Sequence, residues 1–296
     1  QLKKIWDRQD LNRRPTAHRA VALAIQLQSP LVSYNLLSIA KCYKNNNVIP
    51  TLKTVFSGTH FAVDAFSYGD IPNVKHYFLT HFHSDHYTGL KKNFNKILFC
   101  SKITADLCIS RLGVNPKVIR IIKVDEVLRV DNVEVTALEA NHCPGAVMLV
   151  FTLPSGKTLL HTGDFRASPI MESYPIFWNR DIHTIYLDTT YCNPRYDFPT
   201  QDQSLEMALY LLRQKKLTLE KAGKKFSTVL IICGTYTIGI PYSEHSSFSE
   251  LVRFVNYLKP KQVVPTVDIS GGVRAVQVHI GFLNFDLYYI IYAWKV

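Results

Sequence analysis

"THFHSDHYTGL", residues 80–90, sets His81, His83, Asp85 and His86 within six positions. An imidazole costs free energy to bury unless its ring nitrogens find partners, so this concentration needs a physical reason. With eleven histidines in 296 residues, the pattern HxHxDH is rare by chance. Neutral imidazole with carboxylate is a donor set that suits a divalent transition metal such as zinc. His81 and His83, two apart in an extended segment, can aim at one ion while Asp85 and His86 turn toward a second.

Working outward, short apolar, β-branched or aromatic runs recur at "HYFLT", "KILFC", "KVIRII", "VEVTALEA", "VMLVFTL", "TLLHTGDF", "TIYLDTT" and "STVLIICG", each bounded by Gly, Pro, Asn or Asp. These read as strands. "SKITADLCISRLG" (101–113) and "QDQSLEMALYLLRQKKL" (201–217) have helical period, the first closed by Gly113, and Ser247 with Glu250 forms a capping box ahead of a further helix. The class is α/β, with sheets covered by helices. Several strands end in a polar residue: Asp64 after "FAV", His81 after "YFLT", His142 after "VTALEAN", Asp164 after "LLHTG" and Asp188 after "IYL". Loops at one rim of a sheet can bring such residues together from distant parts of the chain. The remaining histidines, His18, His60, His76, His161, His183 and His279, read singly and carry no assigned role.

Composition sets the frame. An apolar content of 47% provides for a substantial core, and a formal charge of +11 attracts polyanions such as nucleic acid. The six cysteines occur singly, which excludes a CxxC zinc ribbon and a disulfide framework and fits a reducing compartment. The charge-free run from Ala20 to Ala40 is interrupted by Gln26, Gln28, Ser29, Pro30, Ser33 and Asn35, so it is not read as a membrane span. Cys143, beside His142, reads as a packed small residue rather than a nucleophile or ligand. Tyr191, Tyr236 and Tyr242 are candidates for stacking on a base, with core packing the preferred reading.

"VDAF", "THFHSDH", "ANHCPGAV" and "HTGDFR" resemble the four motifs of the metallo-β-lactamase superfamily, and "YLDTTYCNP" with "IPYSEHSSF" resembles its β-CASP branch, in particular the DNA cross-link repair nucleases. The resemblance runs from about Phe56 to Val267. It implies a metallo-β-lactamase αββα sandwich with a truncated β-CASP region. It further implies His81, His83 and His142 as ligands of a first zinc, Asp164 as a bridging carboxylate, and Asp85 with His86 at a second position. One zinc would be held tightly, with room for another. Asp64 would support the ligand loop. Asp188 would orient His245 as the acid for the leaving oxygen, and Asp85 or Asp164 would orient the attacking water. Val267 stands where RNA-processing relatives carry histidine, which points to DNA. The implied activity is 5′-to-3′ exonucleolytic hydrolysis of DNA in interstrand cross-link repair. Single-stranded or 5′-phosphorylated ends would be the substrate, in the nucleus and with no membrane partner.

The sequence departs from that family at one place. Relatives carry a long insert between the segments resembling "CGTYTIG" and "IPYSEHSSF", whereas Gly239 here runs directly into Ile240. The expected organisation is an N-terminal extension (1–50), a metallo-β-lactamase core (51–190), a β-CASP remnant (191–244), a return segment (245–268) and a divergent tail (269–296). Two rivals follow. A small-substrate, lactamase-like hydrolase would need the same ligands but not "YLDTTY" or "YSEHSSF". A catalytically inactive DNA-binding or scaffold form would keep the ligands and lack the cap.

Overall fold

The apolar runs assemble into two mixed sheets. The computed structural model describes residues 54–56, 59–178, 181–224 and 242–267. Both terminal segments, the expected strand at "STVLIICG", Tyr236 and the Gly239–Ile240 joint lie outside them. The first sheet holds β1 (Thr54–Val55), β2 (Phe61–Val63), β3 (His76–Phe78), β4 (Ile97–Cys100) and β5 (Ile119–Ile121) in that order. Only the β1–β2 pair is antiparallel. The second holds β6 (Val127–Val130), β7 (Val133–Glu139), β8 (Val147–Thr152), β9 (Thr158–His161), β10 (Ile182–Leu187) and β11 (Gln262–Pro265). Strands β6 to β9 run antiparallel, and β9, β10 and β11 run parallel.

The sheets face one another across an aromatic layer. Phe61, Phe78 and Phe99 from the first meet Val135, Leu149 and Phe151 from the second, with Phe151 edge-on to Phe78 at 5.2 Å and to Phe56 at 4.7 Å. Strand β8 buries five consecutive residues because both its faces are covered, which explains its unbroken apolar sequence. A four-residue helix α1 (Ser84–Tyr87) carries Asp85 and His86. Helix α2 (Lys102–Leu112) lays Ala105 and Cys108 against Tyr77 and Leu98 on the outer face of the first sheet. After the long helix α3 (Gln201–Lys221), helix α4 (Phe248–Leu258) packs Leu251, Phe254 and Val255 on Leu160, Ile185 and Leu187 of the second. The result is the αββα sandwich expected from the sequence. No helix among the described residues is long and apolar enough to cross a membrane.

Local sequence sets the helix ends. Ser101 Oγ accepts the Thr104 N–H at the start of α2, and Gly113 closes it at φ 68°. The capping box expected at Ser247 and Glu250 is formed in full. Helix α3 runs four residues past its expected end, because no Gly or Pro interrupts the chain until Gly223, and it opens with a second capping box, Thr200 with Gln203.

His161 proves structural. It ends β9 fully buried, stacks on Tyr186 at 5.7 Å, and its Nδ1 accepts the Gly163 N–H at 3.0 Å, folding the turn that presents Asp164. Burial pushes its pKa down to about 4. Because the unfolded chain binds the proton more readily, this residue's effect on stability is absent above pH 6.5 and becomes a loss as pH falls toward 4, about 3 kcal/mol in all. His161→Asn, which cannot ionise, is expected to flatten urea-measured stability across that window. An unchanged slope would assign the acid sensitivity elsewhere.

Candidate metal centre

All the residues singled out at strand ends meet at one rim. His81, His83, His142 and Asp164 offer ligand atoms within 4.8 Å of one another, as do Asp85, His86 and Asp164, and likewise Asp164, Asp188 and His245. Asp164 belongs to all three groups. His81 follows β3, His142 lies in the β7–β8 loop, Asp164 follows β9 and Asp188 follows β10. The short α1 supplies Asp85 and His86, and the loop 242–247 leading into α4 supplies His245.

Hydrogen bonds behind the rings settle which nitrogen faces inward. The Asp64 carboxylate accepts the Thr80 N–H at 2.9 Å and the Thr80 hydroxyl at 2.7 Å. That hydroxyl has spent its only proton, so at 3.0 Å it accepts from His81 Nδ1. His81 Nε2 is therefore a lone pair, and it is buried with no hydrogen-bond partner. His142 Nδ1 donates to the Glu244 carbonyl at 2.9 Å, which likewise turns an unprotonated Nε2 inward. His86 Nδ1 lies 2.6 Å from Asp64 Oδ2, leaving Nε2 to face Asp164 Oδ1 at 3.2 Å and Asp85 Oδ2 at 3.7 Å.

The spacings suit a cation. Donors at zinc-ligand distances sit about 3.3 Å apart at the corners of a tetrahedron. Here His83 Nδ1 is 3.1 Å from His142 Nε2, and Asp164 Oδ2 is 3.7 Å from His81 Nε2 and 3.9 Å from His142 Nε2. Asp164 turns Oδ2 to this set and Oδ1 to His86, the arrangement of a bridging carboxylate. The orphaned His81 nitrogen and the inward lone pair of His142, beside the Asp164 carboxylate, fit a metal ion, which would satisfy all of them at once.

Charge divides the rim in two. Burial, then neighbouring imidazoles, push His81 down to about 2, and the same causes lower His83. His86 is also penalised by burial, yet Asp64 and Asp164 on either side raise it well above 6.5. Asp64 itself is held down to about 2: burial opposes ionisation, but the charge and hydrogen bond of His86 prevail.

A third feature stands beside the ligand groups. Asp188 is 2% exposed in its side chain and accepts the Phe165 N–H, the Thr190 N–H and the Thr190 hydroxyl, which fixes its plane. Its Oδ2 lies 2.7 Å from His245 Nδ1, and His245 Nε2 points toward Asp164 Oδ2 at 3.9 Å. Burial opposes charge on His245, but Asp188 raises it to about 9. A protonated imidazole so placed can hand a proton from Nε2 into the cleft.

Some contributors have no motif of their own. Thr80 orients His81, and Gly163, at φ 57°, touches Thr80 so closely that a Cβ there would come within 2.9 Å of the Thr80 side chain. Gly163 thus brings the backbone before Asp164 close against a residue of the ligand loop. Cys143 is partly buried against the core and burial pushes its thiol up to about 11, which suits packing and not nucleophilic attack. Tyr191 packs edge-on to Phe198 and near His245. Tyr242 is 55% exposed, so the core reading fails for it: it lies on the loop leading to His245, and its hydroxyl accepts from Gln201 Nε2 at 3.3 Å.

Comparison with known proteins places the chain among DNA-repair relatives. The DNA repair metallo-beta-lactamase family profile matches residues 206–271. The DNA cross-link repair 1A protein of Gallus gallus is 50% identical over 182 residues, 62% of this chain and 18% of that protein. Its Mus musculus counterpart is 48% identical over 313 aligned positions, 72% of this chain and 30% of that protein. That alignment is longer than the part of the chain it uses, so about a hundred positions of the mouse protein have no counterpart here. The 5' exonuclease Apollo of Gallus gallus is 32% identical, covering 72% of this chain and 63% of that protein. The chain thus spans less than two thirds of the length of each of these relatives. From the motifs, the layered fold and these likenesses, the chain belongs to the DNA-repair group of the metallo-β-lactamase superfamily, in its β-CASP branch.

Proposed function

We propose that this chain is a zinc-dependent 5′-to-3′ DNA exonuclease of interstrand cross-link repair, acting in the nucleus on single-stranded or 5′-phosphorylated ends. The observation that carries the reading is the Asp188–His245 pair aimed at Asp164, directly beside the clustered ring nitrogens of His81, His83 and His142. His81, His83, His142 and Asp164 would hold one zinc, and Asp85, His86 and Asp164 a second. When bound, zinc supplies Lewis acidity toward a phosphodiester oxygen and lowers the pKa of water.

The chain's own groups supply the remainder. Asp85, whose side chain is 62% exposed at the cleft, orients the attacking water. Asp188 fixes the His245 ring so that Nε2 donates its proton to the departing oxygen. Val267, at the edge of the second sheet, supports DNA over RNA, and the +11 charge supports a polyanionic substrate whose binding weakens with salt. Exonuclease polarity, cross-link repair and nuclear location rest on likeness to the named relatives. One observation favours an inactive, DNA-binding form: the hundred or so positions absent relative to the mouse protein. The lactamase-like alternative has no such support, since the Asp188–His245 pair is built into the rim.

Two experiments bear on this reading. Purified chain loaded with zinc is expected to shorten a 5′-phosphorylated single strand carrying a 3′ label. His245→Asn should retain zinc yet cut about 10²- to 10⁴-fold more slowly. Bound zinc without cleavage in a correctly folded chain would put the binding role ahead. The second experiment separates the two ion positions by pH. Burial lowers His81 to about 2 and also lowers His83, whereas His86, raised well above 6.5, must give up a proton before its Nε2 can ligate, so acid competes at the second position first. Atomic emission after equilibration from pH 8 to pH 5.5 should show one equivalent lost before the other; simultaneous loss would reject the assignment.

A further inference from the structure

The hydrolytic reading makes no use of Arg166, two residues beyond Asp164 and 1% exposed. A buried guanidinium is costly unless its donors are matched, and here they are distributed over three separate segments. Nε and Nη2 donate to the Glu250 carboxylate at 3.1 and 3.2 Å, in the first turn of α4. Nη2 also donates to the Pro199 carbonyl at 2.7 Å, just ahead of α3, and Nη1 donates to the Ser243 carbonyl at 2.7 Å. The Phe198 ring lies 5.3 Å from the guanidinium carbon.

The contact with Ser243 opens a run that reaches the rim. Next in the chain, Glu244 gives its carbonyl to His142 Nδ1, and His245 meets Asp188. Ser246 then donates both N–H and hydroxyl to the Phe165 carbonyl, and its hydroxyl accepts the Ala167 N–H at 2.9 Å. Loop 243–247 is thus laid along residues 165–167, with the guanidinium as the element that ties its start to α4.

We propose that Arg166 is a positioning residue. By gripping the Ser243 carbonyl and Glu250 together, it sets the loop that at once fixes the ring of His142 and presents His245. The purpose of that loop rests on the hydrolytic reading, but the contacts can be tested without it. Lysine cannot substitute, because one ammonium cannot reach three segments with a planar fork. Glu250→Gln offers an independent disruption, since it keeps the side chain's shape and removes its charge.

The test is NMR of the metal-free, full-length chain with 15N-labelled histidine, in Arg166→Lys and in Glu250→Gln. The ring signals of His142 and His245 are expected to shift or broaden away, while that of His81, held by Thr80 and not by this loop, stays in place. Zinc affinity should fall about 10- to 100-fold alongside. The proposal is overturned if all three signals persist in both variants, or if all three vanish together in both, which would make the arginine a general support of the fold. Absence of DNA cleavage by the unsubstituted chain would sink the nuclease reading and leave these ring signals as they are.

Discussion

Lone pairs aimed at one another repel, and the rim of this protein exists to hold several of them together. Without a cation the arrangement is unfavourable, so it persists only because each ring is fixed from behind: His81 by Thr80 and Asp64, His142 by the Glu244 carbonyl, His86 by Asp64. The bonds behind His81 and His142 leave their inward nitrogens no alternative tautomer, whereas His86 carries a proton toward Asp164. Asp164 then sits between both sets of donors, one oxygen to each. The fold's task is to keep that outer ring rigid.

Rigidity comes from where the groups are mounted. Asp64, Thr80, His81, Asp164 and Asp188 all lie just beyond strand ends in the interior of the sandwich, within one to three residues of a hydrogen-bonded ladder. Small residues make the contacts between these loops close. Gly163 lies against Thr80, and Gly145 sits where a Cβ would come within 2.7 Å of Ile103 on α2, with the Gly145 carbonyl accepting from Ser101 Oγ. The His142 loop is thereby seated on the start of that helix. Site geometry and packing are here the same set of contacts seen from two sides.

How much of this could be read from the sequence depends on where the signal resides. "HFHSDH" announces itself because its four donors fall within six positions, and the capping box at Ser247 and Glu250 is legible because its two members are three apart. Asp164, Asp188 and His245 are ordinary residues in isolation and take on meaning only through the resemblance and the strand pattern. Glu244 contributes a carbonyl, which every residue possesses, so no sequence signal marks it. Arg166 and His161 read as a charged and a bland residue until their burial is seen. Strand β6 and the last four residues of α3 were missed because both are largely exposed, and neither packing periodicity nor a turn residue delimits them.

The contact between His142 and Glu244 spans 102 residues, and the clamp on Arg166 reaches 84 residues further along the chain to Glu250. During synthesis, therefore, the imidazoles at positions 81, 83, 86 and 142 emerge long before the loop that locks the last of them. A nascent chain halted before residue 243 would display His81, His83 and Asp164 with the His142 ring still free to turn. Secure capture of an ion thus belongs to the last stage of maturation, after the ribosome has delivered the segment that closes the second sheet.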